Sequence, residues 1–330
     1  MTRRALLLAC VALLLAPSRA SAQGARLTLA NEYPATSIQG EADARFARAV
    51  AERSGKRIEI VHAYDAATGF RSKDMIDAVA RGAVPIGNAY MGALGAVDPV
   101  FLLPSLPFLA TTPEQGRALA EVARPAYERV LARHNQRLLF LSPWPAAGLW
   151  ANKPIDSAEA LKGLRLRTAD GSGVLAFKAA GAMPVQVSFA DAIPQLKAGQ
   201  LDAVLSSGDG GAGARLMETL RHFTAIEYAV TMSMVTINND AWAALEPAWQ
   251  EAMRAAAADT EAQQWQLMKT RVADNYTRMR AAGVSITTAL SPEFQQTLRA
   301  AGQVAVDDWV QRMGPAATPI LDAYRQRLGR

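Results

Sequence analysis

Cysteine and histidine are both scarce in this chain. Cys10 is the only cysteine among 330 residues, so no disulfide can form within the chain and packing alone must hold the fold together. The three histidines, His62, His134 and His222, lie far apart, and no HExxH motif joins any of them. We therefore expect neither a zinc site nor any other metal or cofactor.

The sequence also lacks the motifs of nucleotide binding and of nucleophilic catalysis. The glycine-rich run at residues 208–213 does not end in Gly-Lys-Ser/Thr, so it indicates a flexible turn that opens a helix rather than a phosphate loop. Ser172 is not framed by the G-x-S-x-G elbow of the α/β hydrolases. The net charge of +5 is not concentrated in a basic run, which argues against nucleic-acid binding.

A basic and apolar segment opens the chain. Arg3 and Arg4 precede an apolar run at residues 5–16, and small residues ending in Ala22 follow it. This pattern predicts a secretory signal peptide cleaved after Ala22, because the run is shorter than the roughly 20 residues of a membrane helix. Lipidation at Cys10 is disfavoured, since most of the apolar run would then lie downstream of the modified residue. We expect a periplasmic protein.

Cleavage at that point would remove three arginines and leave 308 residues with a net charge of +2. Helical patterns in this part separate short apolar strands, which are predicted at 27–30, 58–61, 84–87, 138–141, 164–168, 185–187 and 201–205. Such alternation is typical of βαβ units, so we predict an α/β fold with two domains, each built on its own sheet. A ligand would then bind in the cleft between the sheets.

One helical segment is unusually long. Between Pro247 and Ala282 there is no internal proline or glycine, and apolar residues recur mostly three or four positions apart. Pro247 suits the first turn of a helix, and Gly283 suits a C-terminal cap. At ~1.5 Å per residue the helix would reach about 50 Å. We predict that it bridges both domains.

The most informative motifs follow one another in a fixed order. LPFL stands at residues 106–109, LKGLRLRT at 161–168, GAMPV at 181–185, SFAD at 188–191 and LDA at 201–203. In order and spacing they resemble the extracytoplasmic binding proteins of tripartite ATP-independent periplasmic (TRAP) transporters, of the dicarboxylate-binding, DctP-like family. The resemblance extends over most of the chain after the signal peptide.

This resemblance implies a two-lobed periplasmic binding protein fold whose lobes close over a ligand in the interlobe cleft, with a long helix spanning both lobes. It implies that residues 23–144 plus 233–272 form lobe I and residues 145–232 plus 273–330 form lobe II. It also implies that the ligand is a small organic acid and that the partners are the permease subunits of an ion-coupled membrane transporter. Members of the family are commonly monomers.

Arg167 falls on the arginine that binds the ligand carboxylate throughout the family. A guanidinium pairs with both carboxylate oxygens and stays charged when water is expelled, although the strand pattern alone would favour an exposed arginine. Phe189 matches the aromatic residue that packs against the ligand, and Trp144 precedes the crossing into the second lobe; both could equally be core residues. The remaining candidate contacts follow predicted strands or turns and could equally be surface residues: Tyr33, Phe70, Arg71, Asn88 and Tyr90.

Two departures from the family pattern bear on the ligand. A second arginine of the family is replaced within AAGLW at residues 146–150, and the ligand-binding asparagine is replaced by a serine within VLSS at 204–207. A dicarboxylate would lose its second anchor, so we expect a monocarboxylate with an apolar, hydroxylated or aromatic remainder. Ser206, Ser207 and Asp209 could exchange hydrogen bonds with that remainder. The sequence leaves a lactone, an amide or a sugar acid open.

Two other functions stay open at the level of sequence. One is a secreted α/β hydrolase or lyase that acts on an organic acid, and turnover of the acid would reveal it. The other is a periplasmic structural or partner-binding protein, whose melting temperature would not respond to any small acid.

Overall fold

The structure, a computed structural model, describes residues 24–212 and 215–329. The predicted signal peptide and its cleavage point after Ala22 lie outside the described residues. Within those two ranges, no helix is both long and apolar enough to cross a membrane. The predicted α/β class is confirmed, because helices alternate with strands that form two separate sheets.

The regular elements are named here in chain order. The strands are β1 (Ala25–Asn31), β2 (Ile58–Ala63), β3 (Ile86–Tyr90), β4 (Gln136–Pro143), β5 (Ala147–Ala151), β6 (Arg165–Thr168), β7 (Met183–Gln186), β8 (Ala203–Ser207), β9 (His222–Thr224), β10 (Met232–Asn238) and β11 (Ser285–Thr287). The helices are α1 (Ile38–Arg53), α2 (Met75–Ala80), α3 (Pro113–Arg133), α4 (Ala158–Leu161), α5 (Gly171–Ala179), α6 (Phe189–Lys197), α7 (Gly208–Ala212), α8 (Asn239–Ala243), α9 (Pro247–Ala281), α10 (Pro292–Met313) and α11 (Ala317–Arg327).

The first sheet is the centre of lobe I. Its strands lie in the order β2-β1-β3-β10-β4, with β1 parallel to both neighbours and β10 antiparallel to both of its own. Helix α1 begins after Ser37, whose hydroxyl accepts a hydrogen bond from the Gly40 N–H and so caps the helix. The apolar face of α1 then packs on the sheet, where the rings of Phe46 and Phe140 lie 5.2 Å apart. The carboxyl ends of β1 and β3 face the second lobe, since Glu32 and Tyr90 there form hydrogen bonds with Ala190 and Asp170.

The second sheet is the centre of lobe II. Its strands lie in the order β11-β9-β5-β8-β6-β7, with β6 parallel to β7 and β8 and with β5 antiparallel to β8 and β9. Helix α6 begins after Ser188, whose hydroxyl accepts from the Asp191 N–H at 3.1 Å, as the sequence predicts. The carboxyl ends of β6 and β8 open toward lobe I.

Two chain crossings and one long helix join the lobes. The segment from Trp144 to Ala147 runs beside the segment from Ala229 to Thr231, and backbone hydrogen bonds of 2.8 Å and 3.1 Å join the two. The predicted long helix is confirmed as α9, which has 35 residues and is followed by Gly283 at φ +80°, a conformation that suits glycine. Gln264 of α9 bonds to Ser142 of lobe I at 2.9 Å, and two turns later α9 reaches lobe II.

The last two helices contact both lobes. Helix α10 packs on α5 of lobe II, whereas α11 packs on α3 of lobe I. Arg327 of α11 pairs with Glu121 at 2.6 Å, and the Tyr324 hydroxyl donates to the Leu109 carbonyl at 3.0 Å. The lobe boundaries inferred from the family resemblance stay a prediction, and the position of α11 joins the end of residues 273–330 to lobe I as well.

Several elements are not apparent in the sequence. Strands β5 and β10 are buried along their whole length, so their side chains show no alternation of apolar and polar residues. Strand β3 begins two residues later than the predicted 84–87, because Pro85 supplies no N–H to the sheet. Strands β9 and β11 have only three residues each, too few for a periodic signal.

The glycine-rich run does not form the predicted flexible turn at residues 208–212, where it is the short helix α7 itself, packed on α9. Its glycines are needed for close approach, since a Cβ at Gly211 would overlap the ring of the fully buried Trp150. A Cβ at Gly210 would likewise overlap the Ser206 side chain.

Adding a methyl group at Gly211 is therefore expected to destabilise the protein. Overpacking typically costs about 1–3 kcal/mol, so Gly211→Ala should lower the free energy of unfolding in urea by that amount. Gly171→Ala is the matched control, because a Cβ at Gly171 meets nothing within 4 Å. The close packing would be refuted by equal stabilities of the two variants.

Asp43 is a carboxyl group on the buried face of α1. It accepts hydrogen bonds from the side-chain amides of Asn31 at 2.6 Å and Asn88 at 2.8 Å. Burial raises the pKa of Asp43 from 3.8 to about 7, and the two amide bonds oppose this rise less strongly. The folded chain thus keeps a proton that the unfolded chain releases, so this group's contribution to stability is full below about pH 4 and is lost as the pH rises through about 7.

The variant Asp43→Asn should lack this dependence. Its free energy of unfolding is expected to change less between about pH 4 and pH 7 than that of the wild type, because it has no proton to release. Urea denaturation at several pH values measures both curves. As the pH rises, the free energy of unfolding of the variant should increase relative to that of the wild type. A difference between the two free energies that stays constant with pH would contradict the shifted pKa of Asp43.

Candidate ligand-binding site

A cavity lies between the two sheets, where β1, β3, β6 and β8 end. The cavity and its opening to solvent enclose about 460 Å³. Both lobes and both crossings contribute to its lining: Tyr33, Tyr90, Trp144, Ala147, Arg167, Ala169, Asp170, Phe189, Leu205, Ser206, Ser207, Tyr228 and Thr231. Among the described residues, no group of three or more His, Cys, Asp or Glu side chains is arranged to hold a metal ion.

Arg167 is the cation of this cavity. It lies on β6 and is only 2% exposed. Its Nε donates to the Val187 carbonyl at 2.8 Å, and its guanidinium makes a long contact of 3.4 Å with the Leu205 carbonyl. These bonds leave guanidinium donors unused, and no carboxylate within the described part of the chain forms an ion pair with it. The side chain is thus buried, held in place and available to an anion.

Three aromatic rings form one wall beside Arg167. The ring of Tyr33 lies 4.7 Å from that of Trp144 and 5.4 Å from that of Phe189. The Arg167 guanidinium lies 5.8 Å from the centre of the Phe189 ring. The indole N–H of Trp144 donates to the Ser233 hydroxyl at 3.0 Å, so this residue presents an apolar ring to the cavity. The wall can pack on a flat or apolar ligand body.

Asp170 and Tyr90 form a polar wall. Asp170 accepts from the Tyr90 hydroxyl at 2.9 Å and from the Gly173 N–H at 2.9 Å, and the second bond caps α5. Burial raises the pKa of Asp170, and the nearby charge of Arg167 lowers it by less. Burial also raises the pKa of Tyr33, so its phenol stays protonated near neutral pH. The cavity therefore combines one cation with hydroxyl and carboxyl groups.

The mouth of the cavity is closed by bonds between the lobes. Arg71 of lobe I pairs with Asp191 of α6 at 2.8 Å. The Glu32 carboxylate of lobe I accepts from the Ser72 N–H at 2.7 Å and, across the cleft, from the Ala190 N–H at 3.1 Å. The bond from Tyr90 to Asp170 also joins the two lobes. The structure is therefore a closed form of a two-lobed protein.

A model of the family described as bacterial extracellular solute-binding protein, family 7 (DctP), matches residues 29–312. The chain belongs to this family. The resemblance to the binding proteins of TRAP transporters, inferred from the motifs, is thus confirmed.

Known relatives agree with this assignment. A solute-binding protein of Chromohalobacter salexigens is 24% identical over 287 residues, which cover 85% of this chain and 83% of the relative. DctP6 of Bordetella pertussis, an extracytoplasmic solute receptor binding pyroglutamic acid, has 28% identity and a TM-score of 0.86 over 91% of this chain and 99% of its own. A marine metagenome TRAP solute-binding protein specific for pyroglutamate has 27% identity and a TM-score of 0.86 over 92% of this chain and 99% of its own.

The structure brings most of the predicted site residues of this solute-binding protein together. Seven of the predicted contacts line the cavity, and Arg71 lies at its mouth. The seven are Arg167, Phe189, Trp144, Tyr33, Tyr90, Ser206 and Ser207. Their roles toward a ligand stay predictions.

Three predicted contacts lie elsewhere. Asn88 is two residues back from the end of β3, and its amide donates to Asp43 on α1. Asp209 is turned by α7 toward α9, where it pairs with Arg271 at 2.6 Å. Phe70 packs on the core of lobe I under the Arg81 guanidinium, 5.4 Å from its ring centre. None of the three lines the cavity, so we remove them from the candidate contacts.

Conversely, the sequence does not indicate Asp170, Tyr228 or Thr231 as lining residues. Asp170 carries a usable signal, because an aspartate before a glycine at the end of a strand is a typical helix N-cap at a sheet edge. Tyr228 and Thr231 belong to the second crossing, whose position depends on how the lobes pair. No local pattern identifies them.

Removing the ion pair at the mouth of the cavity should shorten the lifetime of the complex between the protein and its ligand. The Arg71 and Asp191 side chains are partly exposed, and such a pair contributes about 0.5–1 kcal/mol. Arg71→Ala is therefore expected to raise the ligand dissociation rate about two- to fivefold in stopped-flow fluorescence. Arg117→Ala, which removes an ion pair within α3 alone, is the control. Equal rates in the wild type and both variants would contradict a role for Arg71 in closure.

Proposed function

We propose that this protein captures a small organic acid in the periplasm and delivers it to the permease subunits of a TRAP-type, ion-coupled transporter. One observation carries the proposal: the buried guanidinium of Arg167 lies in the interlobe cavity without a carboxylate partner among the described residues. A buried cation is costly unless an anion pairs with it. A ligand carboxylate would supply that anion.

The cavity favours a monocarboxylate over a dicarboxylate. Arg167 is the one arginine or lysine among the residues that line the described cavity, and Asp170 stands nearby as a carboxyl group. A second ligand carboxylate would therefore meet no second cation and would be repelled by an ionised Asp170. The aromatic wall suits a compact, flat body. A cyclic acid such as pyroglutamate, which two of the relatives bind, meets these requirements.

Capture would begin with the contact to Arg167 and end with the contacts that join the two lobes. The acid enters an open cleft and pairs with Arg167 on lobe II, and the aromatic wall of both lobes then covers its body. Closure brings Arg71 to Asp191 and Glu32 to the start of α6, so ligand binding shifts the population toward the closed form. The closed form is the shape that the permease would recognise. We expect the protein to act as a monomer.

An enzyme that acts on the same acid is the alternative, and no observation favours it. The residues that line the cavity include no histidine or cysteine. In the described part of the chain, no hydrogen bond joins Ser206 or Ser207 to Asp170, the carboxyl group of the lining. Proton NMR of the acid incubated with the protein would distinguish the two functions, because a binding protein returns its ligand unchanged.

The anchor is tested by replacing Arg167. Truncating one side of a buried charge pair costs at least about 2 kcal/mol, so Arg167→Ala should bind L-pyroglutamate at least about 30-fold more weakly in a calorimetric titration. Arg167→Lys should recover only part of this loss, because an ammonium cannot form two parallel hydrogen bonds with a carboxylate.

Arg165→Ala is the matched control. Arg165 lies on the same strand two residues earlier, pairs with Asp202 at 2.5 Å and is exposed, so its removal should leave the affinity unchanged. Retained affinity in Arg167→Ala would remove the anchor from the proposal. A wild-type protein whose melting temperature responds to no small acid would refute the proposed function itself.

A further inference from the structure

Tyr228 has a rigidly held side chain in the second crossing between the lobes. Its N–H donates to the Ala147 carbonyl at 2.9 Å, and its carbonyl accepts from the Phe108 N–H at 2.8 Å. Its ring stacks on Phe177, with ring centres 5.7 Å apart, and meets the edge of Phe108 at the same distance. Backbone and ring together fix the direction of the hydroxyl.

That hydroxyl has no hydrogen-bond partner among the described residues. The residue is 2% exposed, and its oxygen is fully buried. A buried hydroxyl without a partner loses its bonds to water and gains none in return. Tyr90, the neighbouring tyrosine of the cavity, differs in this respect, because it donates to Asp170 at 2.9 Å.

Tyr228 lines the cavity together with Asp170 and Tyr90. Its phenol lies close enough to both side chains for them to oppose its ionisation. Burial raises the pKa of Tyr228, and both neighbours raise it further, so the group is a neutral hydroxyl that can donate or accept. Arg167 lines the same cavity. A small ligand that occupies this cavity would therefore lie next to both residues.

A second tyrosine shows that a missing partner does not by itself make a site. The Tyr127 hydroxyl is also buried without a partner among the described residues. Its ring lies in the core of lobe I, 6.0 Å from that of Phe101, and the residue does not line the interlobe cavity. Tyr127 therefore provides a control with the same chemistry and no cavity.

We propose that the Tyr228 hydroxyl is a ligand contact that selects the acid. It forms a hydrogen bond with the polar atom of the ligand that is not part of the carboxylate, a carbonyl or hydroxyl oxygen, while Arg167 holds the carboxylate. An acid that lacks such an atom leaves the buried hydroxyl unpaired and is bound more weakly. The inference rests on the proposed function and specifies its ligand class: a monocarboxylate with a second oxygen on its body.

The test compares two acids that differ at that position. L-pyroglutamate carries a ring carbonyl, and cyclopentanecarboxylate is a ring of the same size without it. We expect Tyr228→Phe to bind L-pyroglutamate about tenfold more weakly in calorimetric titration, from the loss of one buried hydrogen bond, and to bind cyclopentanecarboxylate within about twofold of the wild type. Tyr127→Phe should change neither affinity.

Ligand-free melting curves separate a lost contact from a damaged fold. Each variant removes a buried hydroxyl without a partner, so the melting temperatures of Tyr228→Phe and Tyr127→Phe should equal or exceed that of the wild type. Unchanged affinity of Tyr228→Phe for L-pyroglutamate would overturn the inference. An equal loss for both acids would also overturn it, because the hydroxyl would then contact the carboxylate.

The proposed function fails in a different way. If the wild type binds neither these two acids nor any other small carboxylate in a thermal-shift series, the carboxylate-binding function is refuted, and the inference falls with it. If the wild type binds and Tyr228→Phe binds equally well, only the inference falls. The wild-type measurement alone thus separates the two failures.

Discussion

The buried charge of Arg167 is the constraint on which the rest of the cleft depends. A guanidinium at 2% exposure has lost nearly all of its water, and two backbone carbonyls replace only part of what was lost. The closed form is therefore more costly without an anion than with one. On the proposed function, the same imbalance would couple binding to closure, because a ligand carboxylate would supply the missing charge only where both lobes surround it.

On the proposed function, the neighbours of Arg167 would determine which anion fits. Asp170 lies in the same lining but is bonded to Tyr90 and to the start of α5, so it does not neutralise the cation by pairing with it. Its carboxyl group instead limits how much further negative charge a ligand can bring. The aromatic wall of Tyr33, Trp144 and Phe189 adds contact area without adding charge. We therefore expect selectivity for one carboxylate from the unequal distribution of charge around the cavity.

Local patterns predict much of the fold but only part of the site. The alternation of apolar segments predicts two sheets, and the uninterrupted run after Pro247 predicts α9, because these signals depend on neighbours in sequence. Arg167 is identified by a motif, since its strand pattern alone favours an exposed side chain. Asn88 and Asp209 follow strands predicted from the sequence, as ligand contacts do. Their partners on α1 and α9, however, lie far away in sequence. Tyr228 gives no signal at all, because its place in the cavity arises only when the two crossings pair.

Helix N-termini contribute to the attraction between the closed lobes. Glu32 of lobe I accepts a hydrogen bond from the first turn of α6 in lobe II, and Asp209 of lobe II accepts one from the Ile38 N–H at the start of α1 in lobe I. The first N–H groups of each helix have no hydrogen-bond partner within the helix, and this end of the helix carries partial positive charge. In an open cleft water would solvate these groups, so each bond contributes only the difference between a protein and a water partner. Such small differences suit a receptor that closes over its solute and opens again. On the proposed function, the anion at Arg167 would then determine which of the two forms is more stable.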